Sequence, residues 1–89
     1  MARFEVHQAD LAAMGAQVDS GEFYFQLGMT YAVGRGVQQD RVAAHKWFNL
    51  AAAEGNAGAA RYRQELAGEM SKAEIAEALR QARSYKTVH

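Results

Sequence analysis

The chain has 89 residues, 49% of them apolar, with four Phe, four Tyr and one Trp; ten basic and ten acidic side chains cancel, and there is no Cys. This length bounds one small domain over residues 1–89 that buries about 60–65% of the surface of its unfolded chain. The composition speaks against disorder, against a nucleic-acid binder with its basic footprint, and against a membrane span, for which a run of about 20 apolar residues is needed.

Absence of cysteine points to a cytoplasmic setting, since small secreted domains usually rely on disulfides. No apolar stretch follows Met1-Ala2-Arg3-Phe4-Glu5, so a signal peptide is not expected. There is no Pro, eight Gly punctuate the chain, and Ala, Leu, Glu, Arg and Gln fill the intervals. These residues favour helix, and the fold class read from them is all-α.

Residues 1–19 are the least patterned. Asp10 can cap a short helix through Leu11, Met14 and Val18, and an arm that packs on the body or frays is expected there. The first strong helix is predicted over 20–33, capped by Ser20 or Asp19. Its core face carries Phe23, Tyr24, Leu27, Gly28 and Tyr31, while Glu22, Gln26 and Thr30 read as its polar back. Gly34-Arg35-Gly36 ends it, as glycines past a helix terminus do. Asp40 caps a second helix with Ala44, Trp47, Phe48, Ala51 and Ala52 on its apolar face, and Gly55-Asn56 stops it.

A third helix is predicted over about 57–69, with Ala59, Tyr62, Leu66 and Met70 at helical spacing. Ser71-Lys72-Ala73-Glu74 has the pattern of a capping box. A fourth helix follows to about Tyr85, with Ile75, Ala78, Leu79, Ala82 and Tyr85 on one face. Such short connections predict antiparallel neighbours, hence two helical hairpins in series.

The run from Phe23 to Tyr31, then Gly34-Arg35-Gly36-Val37, Asp40, Ala44, Trp47-Phe48, Ala51-Ala52, Gly55 and Asn56, resembles one Sel-1-like repeat, a relative of the tetratricopeptide repeat with a longer loop. The resemblance covers about residues 20–56. A second copy degrades after Ala57, where Arg61, Arg63 and Gln64 stand in place of the family's tyrosine, leucine and glycine. Residues 57–89 look like the closing helix pair of bacterial arrays of this family. The resemblance implies a short right-handed α-solenoid of antiparallel pairs and a non-enzymatic adaptor or scaffold role. It also implies a protein or peptide partner held in a helical groove. Positions matching the groove are Glu22, Phe25, Met29 and Val33. One repeat and a cap is short for a solenoid, so a structural self-association unit is the alternative.

The physics of the residues fits the resemblance. Gly28 in mid-helix costs about 1 kcal/mol against Ala, which makes sense if the second helix approaches closely there. Ala44, Ala51 and Ala52 would offer a smooth surface, Trp47 and Phe48 would fill the remaining volume, and Val37 would return the loop to the core. Phe25, Met29 and Ala32 form a second apolar stripe. Either the third helix covers it, or part of it stays open to an apolar anchor from a partner.

No catalytic constellation stands out. His7, His45 and His89 share no metal-ligand spacing with one another or with an acid pair, so no metal and no cofactor is expected. His45 reads as a half-buried histidine bonded to a neighbouring loop. Ser20 and Ser71 fall at caps. Gly34-Arg35-Gly36 follows a helix and not a strand, which removes the context of a phosphate loop. The expectation is a protein that is not an enzyme and binds neither nucleic acid nor membrane.

Overall fold

The computed structural model describes residues 20–88. The arm expected to pack through Leu11, Met14 and Val18 lies outside the described residues, as do His7 and His89. Within them the chain forms four helices: α1 Gly21–Val33, α2 Arg41–Ala53, α3 Ala57–Ala67 and α4 Lys72–Val88. The described part is all-helical, as the composition predicts.

Each start is set by a side chain that accepts from an otherwise orphaned backbone N–H. Ser20 caps α1 through the N–H of Phe23 at 3.1 Å, and Asp40 caps α2 through that of Ala43 at 3.0 Å. Asn56, read from sequence only as a stop for α2, caps α3 through the N–H of Ala59 at 2.9 Å. The capping box ahead of α4 is reciprocal. Ser71 N–H donates to Glu74 Oε1 at 2.8 Å, and Glu74 N–H donates to Ser71 Oγ at 3.1 Å. At the end of α1, Gly34 takes the left-handed conformation (φ 75°) and donates its N–H to the Thr30 carbonyl. The loop then turns back, with Asp40 N–H on the Tyr31 carbonyl and Gln39 Nε2 on that of Ala32.

Helix α2 is the hub: α1, α3 and α4 each pack against it. The core holds Phe23, Tyr24 and Leu27 of α1, Ala44, Phe48, Leu50 and Ala51 of α2, Ala59 of α3 and Ala82 of α4. Trp47 and Phe48 are neighbours in sequence but serve opposite flanks of α2. Trp47 stacks on Tyr24 (centroids 5.6 Å, 22°) and meets Tyr85 of α4 edge-on at 5.1 Å. Phe48 stacks on Tyr62 of α3 (5.7 Å, 24°) and tilts against Phe25 of α1 at 5.8 Å. Each aromatic triplet ties α1 and α2 to one of the two later helices.

Several sequence expectations need correction. Gly28 does meet α2 closely, but against the Phe48 ring and not a smooth alanine surface. Tyr31, Trp47, Ala52 and Leu66 do pack against the core but are only partly buried, and Val37, Met70 and Ile75 are partly buried outside the core cluster. Leu79 is 39% exposed and Ala78 is fully buried in its place. On a helix Ala78, Ala82 and Tyr85 fall within about 60° of one another, with Leu79 about 100° off Ala78, at the edge of the face. Thr30, assigned to the polar back, is buried, only 5% exposed; its hydroxyl donates to the Gln26 carbonyl at 2.8 Å, which satisfies it locally. The second hairpin expected from the short connection is not formed: α4 packs on α2 and not on α3, with Tyr85 against Trp47 of α2 and Tyr24 of α1.

Candidate functional site

The four positions singled out from sequence lie along one side of α1. Phe25, Met29 and Val33 are spaced by four, so each sits about 40° round the helix from the last and all share a stripe. Glu22 is exposed in the first turn, where an acid suits the helix dipole. Its Oε2 accepts from Gln26 Nε2 at 2.8 Å. Phe25 and Met29 pack half-buried against the core. Val33 is 57% exposed, the most open of the large apolar side chains among the described residues.

Helix α3 covers only part of this stripe. Tyr62 lies 5.6 Å from Phe25, ring centroid to ring centroid, and yet is 41% exposed itself. The stripe therefore continues from α1 onto α3. Sequence reasoning placed Tyr62 in the α3 face by its spacing but gave it no part in the site, because spacing within one helix does not show which residue of another helix it meets.

A second, polar feature lies between α2 and α3. Arg63 Nη1 donates to Asn49 Oδ1 at 2.6 Å. His45, one turn before Asn49, is only 3% exposed, and its Nδ1 is buried without a hydrogen-bond partner. This corrects the expectation of a half-buried histidine bonded to a loop. Burial, then the Arg63 guanidinium, push the imidazole below its usual value of 6.5. At the start of the same helix Arg41 faces Glu69 at 3.6 Å.

On the opposite flank Lys46 places its ammonium 4.3 Å from the Trp47 ring centroid. Burial pushes its pKa down, and the ring face gives the cation partial compensation. Among the described residues no group of three or more His, Cys, Asp or Glu is placed to hold a metal ion, and no helix is long and apolar enough to cross a membrane. Compared with family models, with curated proteins and with solved structures, the chain gives no match.

Proposed function

We propose that this chain is a non-enzymatic, cytoplasmic protein–protein interaction module of the Sel-1-like, tetratricopeptide-like kind, a short α-solenoid closed by its last helix pair. It holds a protein or peptide along Glu22, Phe25, Met29 and Val33. The observation that carries this reading is the exposure of Val33, 57%, at the end of a stripe whose other apolar members are half-buried. An apolar patch that is partly walled and partly open suits an anchor residue from a partner, and Met29 can adapt to its shape. The close Gly28–Phe48 approach, the glycine loop and the Asp40 cap lend support at the positions that carry the repeat resemblance.

Self-association through the same stripe is the second reading. It is favoured by the zero formal net charge, which sets no repulsion between copies. Sedimentation equilibrium over a range of concentrations separates the two: a concentration-dependent dimer supports the second reading.

The direct test uses the full chain. Peptides selected against it by display are titrated into isotope-labelled protein, and amide shifts are followed. The reading expects shifts clustered at Glu22, Phe25, Met29 and Val33, and loss of binding in Val33→Asp with an unchanged urea midpoint. Shifts clustered elsewhere, or full binding by Val33→Asp, would overturn it.

A further inference from the structure

Among the described residues His45 is a buried titratable group that the proposed binding role does not use. His45 is 3% exposed, and its Nδ1 has no hydrogen-bond partner. A neutral imidazole carries one N–H and one bare lone pair. A bare lone pair in an apolar site costs modestly. Protonation would bury a positive charge beside the Arg63 guanidinium, a cost that a backbone hydrogen bond at His45 offsets only in part.

Among the described residues the charged group that acts on His45 is a cation and no acid offsets it. From α3 the charged side chain that acts on it is Arg63, a cation, whose Nη1 is already engaged by Asn49. From α2 itself Arg41, one turn earlier, is a second cation, and its partner Glu69 lies on it at 3.6 Å. Lys46, the next residue, is turned to the Trp47 ring. The buried residues of α1 are Phe23, Tyr24, Leu27, Gly28 and Thr30, none charged. Helix α4 reaches α2 through Trp47 and Tyr85, and positions 45 and 47 lie about 200° apart on a helix, so α4 is on the far side.

We propose that His45 is a pH-sensitive latch between α2 and α3, which is closed while the imidazole is neutral and releases α3 when it is protonated beside Arg63. Release of α3 separates Tyr62 from Phe48 and Phe25 and opens the aromatic floor next to the α1 stripe. Helix α4 stays on α2 and α1 through the contacts of Tyr85 with Trp47 and Tyr24. The direction follows from linkage. A histidine held below its unfolded value contributes stability that is present above about 6.5 and is lost as pH falls through the folded value.

The test uses the full chain, from about pH 7.5 to about pH 5, the range in which histidines change charge. Native-state hydrogen exchange is measured amide by amide and corrected for intrinsic chemistry. Amides of α3 should open more as pH falls, by about tenfold for each unit that His45 titrates below an ordinary imidazole, while α1 amides hold. His45→Gln should abolish this pH dependence, and the control His7→Gln with His89→Gln should keep it. Should His45→Gln fail to fold, the imidazole carbon shift of His45 in the parent chain decides: a titration below 6.5 that coincides with α3 opening supports the latch. The latch is overturned by α3 exchange that is flat with pH, by α1 and α3 opening together, by a pH dependence that survives His45→Gln, or by His45 titrating at or above 6.5.

Discussion

A methyl group built on Gly28 would lie 2.5 Å from Cδ1 and 2.6 Å from Cε1 of Phe48. Those distances are well inside van der Waals contact, and the Phe48 ring is only 1% exposed, walled by Phe25 and Tyr62. The ring can retreat only by displacing these neighbours. Gly28→Ala gains about 1 kcal/mol of helix propensity but loses more to overpacking, so a net loss of about 1–2 kcal/mol is expected in urea unfolding. Combining it with Phe48→Leu should recover part of the loss, because the two changes act on one contact. A Gly28→Ala chain as stable as the parent would refute the close approach.

Trp47 should be structural. It joins Tyr24 and Tyr85 in one aromatic triplet, and Trp47→Ala should cost about 3 kcal/mol, the low end of the range for such truncations because the ring is only partly buried. Tyr85→Ala should cost less, and the double variant less than the sum, with a coupling above about 0.5 kcal/mol. Strict additivity would show that the triplet contributes area alone.

Ser71→Ala removes one half of the capping box before α4. About 1 kcal/mol should be lost, and hydrogen exchange should quicken first at Glu74. Unchanged protection there would mean that the cap does not set the start of α4.

Glu77 offers a titration test. Hydrogen bonds from Arg80 and then Gln81 hold its carboxyl well below the usual range, at about 2. The favourable contribution is present above the ordinary carboxylate pKa and is lost as pH falls from there to about 2. Both side chains reach solvent, so salt should screen the pair and its weight in stability should be small. Carboxyl carbon shifts should show a low titration that rises toward the ordinary range in Arg80→Ala or high salt. A titration near 4.5 in the parent at low salt would contradict the contact.

Helix positions, three of the four caps and the glycine stop after α1 were legible in the chain itself. They depend on residues within a turn of one another: Ser20 on Phe23, Asp40 on Ala43, Ser71 on Glu74. Local backbone chemistry is written in local order. Tertiary structure decided the rest. That Phe48 and not an alanine meets Gly28, that Tyr62 extends the stripe on α1, that Leu79 yields the core to Ala78, and that His45 is buried with an unpaired nitrogen beside Arg63 all depend on how one helix is rotated against another. That rotation is set by the simultaneous fit of bulky side chains from distant parts of the sequence in a close-packed interior, and periodicity within one helix carries no record of it.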